Sequence, residues 1–77
     1  MYRATIRETG SEIPARSLQE AVEGIETALG LPPRTAVTAQ LRPGTWLVYR
    51  SQAILDRDAI ALGVDRPDLH CAVVHAH

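Results

Sequence analysis

The clearest pattern of hydrophobic and polar residues lies in residues 17–29, where apolar side chains recur every three or four positions. This spacing is that of an amphipathic helix with one buried face. The apolar residues of that face are Leu18, Val22, Ile25 and Leu29. The pattern therefore predicts a helix that packs on the rest of the protein.

Residues at both ends define the limits of this helix. Ser17, followed three positions later by Glu20, forms a capping box in which the serine hydroxyl accepts a hydrogen bond from the Glu20 N–H. Gly30 can adopt the left-handed conformation that ends a helix. Pro32 and Pro33 then prevent the helix from resuming.

Apolar and polar residues alternate with a period of two elsewhere in the chain, which predicts strands. The predicted strands are residues 2–7, 12–15, 37–42, 46–50 and 69–75. Pro14 cannot donate to a strand ladder, so we expect the second strand at an edge of the sheet. The last strand is apolar at most positions, which is typical of a central strand.

The turn at Pro43 and Gly44 sets the expected register of the second hairpin. A loop of these two residues would pair Leu41 with Trp46 on the face toward the helix. The residues facing the other way are then Thr38, Gln40, Leu47 and Tyr49.

A second, short helix is predicted for residues 56–63, with an aspartate as N-cap and Gly63 as its end, followed by a loop at residues 65–68. The order of elements, ββαββ(α)β, predicts an α+β fold with a mixed or antiparallel sheet and one main helix packed on one face. We expect one domain, residues 1–77. The expected core comprises Ile6, Leu18, Val22, Ile25, Leu29, Val37, Val48 and Val73.

Composition and charge narrow the function classes. The formal net charge of -1 gives no basic field for direct nucleic-acid binding, and no apolar run approaches the roughly 20 residues that span a membrane. All eight basic residues are arginine, a bias typical of GC-rich coding sequences, and the lone Cys71 fits a reducing compartment. We expect a protein of the bacterial cytosol that is a monomer or small homo-oligomer.

The residues that could carry chemistry are few. The one metal-type cluster is His70, Cys71, His75 and His77. On a strand Cys71, His75 and His77 share a face, but Val73 interrupts them. Asp56, Asp58, Asp65 and Asp68 lack the spacing of a calcium loop. No nucleophile and base pair is placed together. We therefore expect no cofactor, no metal and no enzymatic activity.

Two candidate surfaces remain for a protein partner, which could be a nucleoprotein complex. The first is the sheet face away from the helix, with Arg3, Arg7, Leu47 and Tyr49. The second is an acidic stripe on the helix, formed by Glu20, Glu23 and Glu26. Tyrosine and arginine are enriched in interfaces, and an acidic stripe suits a basic partner. Ordinary solvated surfaces would explain both sets as well.

One set of residues between positions 10 and 50 has nearly the spacing found in a known group of proteins: Gly10, Ile13, Ala15, Ser17, Leu18, Ala21, Thr35, Gly44, Trp46, Leu47, Tyr49 and Arg50. In these residues the chain resembles the small phage anti-CRISPR proteins that bind Cascade-type surveillance complexes. This resemblance implies a non-enzymatic inhibitor that binds a multi-subunit complex.

A second resemblance rests on features spread over the entire chain: the turn at Thr9-Gly10, residues 30–33 after the helix, residues 55–58, and Leu69-His70 at the last strand. In the order and rough spacing of these features the chain resembles the ubiquitin-like β-grasp proteins. It implies a β-grasp fold and a role as a subunit or adaptor of a bacterial secretion or oxygenase assembly. The chain ends in His75-Ala76-His77 where ubiquitin has Gly-Gly, so no conjugation is implied.

Overall fold

A computed structural model describes the backbone of residues 1–61 and 69–77 and the side chains of residues 1–58 and 69–77. In chain order the elements are β1 Tyr2–Ile6, β2 Glu12–Ala15, α1 Leu18–Leu29, β3 Val37–Arg42, β4 Thr45–Tyr49, α2 Gln52–Ala61 and β5 Ala72–Ala76. Within these ranges, neither helix is both long enough and apolar enough to cross a bilayer.

The strands form one sheet in the order β2-β1-β5-β4-β3, and each neighbouring pair is antiparallel. The predicted α+β class and antiparallel sheet are confirmed. Two details are confirmed as well: β2, which contains Pro14, lies at an edge, and β5 lies in the centre. The β-grasp-like arrangement is not confirmed, and α2 is a second helix packed on the sheet.

Helix α1 begins and ends where the sequence predicts. The Ser17 hydroxyl accepts a hydrogen bond from the Glu20 N–H at 3.1 Å, and Gly30 is left-handed with φ 69°. A Cβ at Gly24 would lie 3.1 Å from Cγ2 of Ile13, so this glycine lets the helix approach β2 closely. The cap residues thus set the helix limits, and Gly24 sets its distance from the sheet.

The core beneath α1 is small and mostly aliphatic. Its buried residues are Ala4, Ala15, Ala21, Ile25, Val48, Ala72 and Val74. Of the predicted core, Ile6, Ile25 and Val48 are buried, and Leu18, Val22 and Leu29 pack against it while partly exposed.

The prediction is wrong for Val37 and Val73, which are half-buried on the opposite face, whereas Val74 is fully buried in the core. The register of β5 decides this: Val74 pairs with Ala4, a core residue, so Val73 points the other way.

The predicted register of the β3–β4 hairpin is wrong by one residue over most of its length. Arg42 pairs with Thr45 as expected, but Gln40, not Leu41, pairs with Trp46. Leu41 is the extra residue of a β-bulge and is 44% exposed. Upstream of the bulge, each β3 side chain therefore lies on the face opposite to the predicted one.

Helix α2 begins at Gln52, four residues before the predicted start. Ser51 caps this helix, because its hydroxyl accepts a hydrogen bond from the Ile54 N–H at 3.3 Å. The predicted end at Gly63 and the loop at residues 65–68 lie outside the described residues. α2 lies on the sheet face opposite to α1, since Tyr49, next to the core residue Val48, donates a hydrogen bond to the carboxylate of Asp58.

Candidate functional site

The two helices cover opposite faces of the sheet over different strands. α1 packs mainly on β1 and β2, whereas α2 packs on β3 and β4 from the other side. On the α1 face, the helix therefore leaves the β3 side of the sheet open. This offset creates a groove between α1 and the segment that contains β3.

The groove has a volume of about 870 Å³ and is partly open to solvent. It is lined by Leu18, Gln19, Val22, Glu23, Glu26, Thr27, Leu31, Pro33, Arg34, Ala36, Val37, Thr38 and Gln52. Leu18, Val22 and Ala36 supply apolar surface that is only partly buried by the protein itself. Glu23 and Arg34 are exposed, and among the described residues neither has an ion-pair partner. The groove thus joins apolar walls with charges of both signs.

Glu26 holds in place the wall of the groove that is formed by residues 31–36, between α1 and β3. It is only 5% exposed, and its Oε2 accepts hydrogen bonds from the backbone N–H groups of Thr35 and Ala36, at 3.0 and 3.1 Å. The Leu31 N–H donates to the Glu26 carbonyl at 2.8 Å, and the Thr35 hydroxyl donates to the Pro32 carbonyl at 2.6 Å. These bonds fasten the segment between α1 and β3 to the helix.

The expected acidic stripe is therefore wrong for Glu26, although Glu20 and Glu23 are exposed on α1 as predicted. Glu26 follows Val22 by four residues and precedes Leu29 by three, so it falls on the apolar face of the helix. A carboxylate at such a position needs partners, and the backbone amides after the helix supply them. This spacing was the sequence signal that could have identified its role.

Arg34, at the rim of the groove, has an unfavourable backbone conformation for its residue type. Its φ is 64°. Among the residues that the structure describes, Arg34 is the one non-glycine residue with a positive φ. Left-handed backbone costs a residue with a Cβ about 1 to 2 kcal/mol. Strain of this kind is found preferentially at binding sites, where a side chain is held in a required position. No pattern in the sequence predicts this conformation.

The other predicted surface is only partly exposed. Arg3 and Arg7 are exposed, and Arg3 points away from α1 as expected; it forms an ion pair with Glu12 at 3.4 Å. Leu47 and Tyr49 point to the same face as Arg3, but they are 4% and 0% exposed. The expectation of an uncovered face is wrong there, because α2 packs on β3 and β4.

The candidate chemical residues are held in structural contacts. The Cys71 thiol donates a hydrogen bond to the Val48 carbonyl at 3.3 Å, and burial raises its pKa, with Arg50 opposing the shift. It borders a depression of about 340 Å³ that is also lined by Arg7, Glu8, Arg50, Leu69 and His70. A raised thiol pKa disfavours the nucleophilic thiolate at neutral pH.

The His75 Nδ1 lies 3.4 Å from the Thr45 hydroxyl, and the His70 ring meets Tyr49 edge-on. Among the described residues, no three His, Cys, Asp or Glu side chains are close enough together to hold a metal ion. Asp65 and Asp68 lie outside those residues.

Comparisons with known proteins leave the family of this chain open. No family model matches it. Neither the curated proteins nor the solved structures include a significant match.

Proposed function

We propose that this protein is a non-enzymatic binding module that contacts a protein partner through the groove between α1 and β3. The observation that carries the proposal is a groove that is lined both by partly exposed Leu18 and Val22 and by the exposed charges of Glu23 and Arg34. Apolar contact area with charged residues at its margin is the composition of protein interfaces.

The rigidity of the groove supports this proposal. Glu26 orders the wall that carries Arg34 through two backbone hydrogen bonds. A wall that is already ordered loses less conformational entropy on binding, which leaves more of the interaction energy for affinity. The strained backbone at Arg34 is a cost that a binding role for its side chain would offset.

The specific partner we propose is a Cascade-type surveillance complex, with the protein as a phage-encoded inhibitor in the bacterial cytosol. This proposal rests on the resemblance over residues 10–50, a stretch that contains α1, Arg34 and β3. The alternative is a ubiquitin-like subunit or adaptor of a bacterial assembly, which the order of elements ββαββαβ favours.

The test uses a purified Cascade-type complex and measures its binding to target DNA as the protein is added. We expect the protein to bind the complex and to reduce DNA binding. The variants Glu23→Arg and Arg34→Glu should weaken binding at least about tenfold, which corresponds to about 1.4 kcal/mol. Glu20→Arg is the matched control, because Glu20 is exposed on α1 but does not line the groove.

Two outcomes would contradict the proposal. If the protein neither binds the complex nor changes its DNA binding, the inhibitor assignment is wrong, and the secretion or oxygenase assembly becomes the partner class to test. If binding occurs but Glu23→Arg and Arg34→Glu behave like Glu20→Arg, the groove is not the contact surface. Arg3→Glu and Arg7→Glu then test the opposite face.

A further inference from the structure

The two edges of the sheet differ in how they are protected against pairing with another strand. At the β2 edge, Pro14 lacks an N–H, and Glu12 is engaged in a cross-strand ion pair with Arg3. At the β3 edge, residues 37–41 contain neither proline nor a charged side chain. Natural proteins usually block an exposed edge with charges, proline or a bulge. Here only the bulge at Leu41, near the end of β3, interrupts the edge.

Positive charges lie at both ends of this unprotected edge. Arg34 precedes β3 by three residues, and Arg42 is its last residue. Both are exposed, and within the described ranges neither has an ion-pair partner. Of the acidic residues exposed on α1, Glu20 does not line the groove beside β3, whereas Glu23 lines it together with Arg34. A strand lying along the outer edge of β3 would meet an arginine at each of its ends.

We propose that the β3 edge binds an extended segment of the partner protein, with acidic residues at both ends of that segment, as an additional strand of the sheet. This inference rests on the proposed protein-binding function and names the form of the bound partner. Backbone hydrogen bonds to β3 supply affinity, while carboxylates paired with Arg34 and Arg42 set position and specificity.

A second copy of this chain fits the same edge poorly. Antiparallel pairing of two β3 strands about Ala39 would bring Arg42 of one copy toward the segment before β3 of the other, which carries Arg34. Like charges placed opposite each other destabilise strand pairing. The charges thus favour an acidic partner segment over self-association.

The binding test uses short synthetic peptides and nuclear magnetic resonance of the folded protein at low ionic strength. The probe alternates threonine and valine and has glutamate at both ends, and a matched peptide has lysine at both ends. We expect the glutamate peptide to shift and protect the backbone amides of β3 but not those of β2. It should bind at least roughly tenfold more tightly than the lysine peptide, as two exposed ion pairs of about 1 kcal/mol allow.

Charge reversal gives the decisive comparison. The double variant Arg34→Glu/Arg42→Glu should prefer the lysine peptide, whereas Arg16→Glu, an exposed control outside β3, should keep the preference for glutamate. Circular dichroism and urea unfolding establish that each variant is folded. A glutamate peptide with methylated backbone nitrogens should not bind, because it cannot complete the strand hydrogen bonds.

Several results would overturn the inference: equal binding of the two peptides, protection of β2 instead of β3, tight binding of the methylated peptide, or self-association through β3 in sedimentation experiments. Arg42 does not line the groove, so Arg42→Glu separates this inference from the proposed function. If Arg42→Glu binds the full partner normally while Glu23→Arg does not, the strand addition is wrong and the groove stands. If the peptides bind β3 and Arg42→Glu weakens binding of the full partner, but Glu23→Arg binds that partner normally, the groove is not the contact surface and the proposed function is wrong instead.

Discussion

The buried carboxylate of Glu26 provides the sharpest test of how this fold builds its groove. In Glu26→Ala, the backbone N–H groups of Thr35 and Ala36 lose their acceptor. A hydrogen bond to a charged group contributes about 1.5 to 3 kcal/mol when it is shielded from water. Thr35 is exposed, so water can replace its bond, whereas Ala36 packs against the core.

The expected loss in the free energy of unfolding is therefore about 2 to 3 kcal/mol, with the bond to Ala36 contributing most. The total free energy of unfolding of a small domain is about 5 to 15 kcal/mol, so the variant should remain folded at room temperature. Glu26→Gln keeps one side-chain oxygen as an acceptor but loses the charge, and we expect about half the loss. Glu23→Ala, on the same helix but exposed, should change stability by less than about 0.5 kcal/mol.

Urea unfolding measures these differences, and amide hydrogen exchange locates them. Exchange of the Thr35 and Ala36 amide protons should accelerate in Glu26→Ala at urea concentrations far below the midpoint. The core amide of Ile25 should keep its protection relative to global unfolding. If Glu26→Ala is as stable as Glu23→Ala, or if exchange at Thr35 and Ala36 is unchanged, the carboxylate does not hold the groove wall and this reasoning is wrong.

Three further predictions follow from the core, the opposite face and the groove rim. Ile25→Ala should lower the urea midpoint by an amount equivalent to about 2 to 5 kcal/mol because Ile25 is fully buried, and an unchanged midpoint would contradict its position in the core. Tyr49→Phe removes a donor to the buried Asp58 carboxylate and should cost about 1 to 3 kcal/mol near neutral pH in the same assay. Burial raises the pKa of Tyr49, and the hydrogen bond to Asp58 raises it further. The stabilising effect of the neutral Tyr49 hydroxyl is therefore complete below the ordinary tyrosine pKa of about 10, and it is lost as the pH rises toward the pKa of the folded state. The wild type should thus lose its advantage over Tyr49→Phe in free energy of unfolding by about 1.4 kcal/mol per pH unit above a pH of about 10. If this difference between the two proteins stays constant with pH, another group causes the unfolding at alkaline pH. Arg34→Gly removes the strain at positive φ and should raise the free energy of unfolding by about 0.5 to 1 kcal/mol. The same variant should bind the partner more weakly, and unchanged binding would exclude a role for the arginine side chain.

Local interactions are the part of this structure that the sequence predicts well. Ser17 and Gly30 act through hydrogen bonds and backbone angles within a few residues, so the limits of α1 follow from the sequence. The alternation of β1 and the missing N–H of Pro14 are equally local, and they correctly placed Arg3 away from α1 and β2 at an edge. At the candidate site, the helical pattern of α1 correctly predicts that Glu20 and Glu23 are exposed, but nothing in the sequence predicts the groove.

Only the tertiary structure decided which residues meet across the sheet. The bulge at Leu41 exchanges the faces of β3 upstream of it, and a turn of the same residues without the bulge would serve the hairpin equally well. α2 covers Tyr49 because Asp58 lies over it, a pairing between residues nine positions apart that hydrophobic periodicity does not encode. Glu26 is likewise buried only because the chain after α1 turns back and presents its amides. The physical reason is common to all three: caps and alternation depend on neighbours in the chain, whereas register, coverage and burial depend on contacts that exist only once the elements have packed.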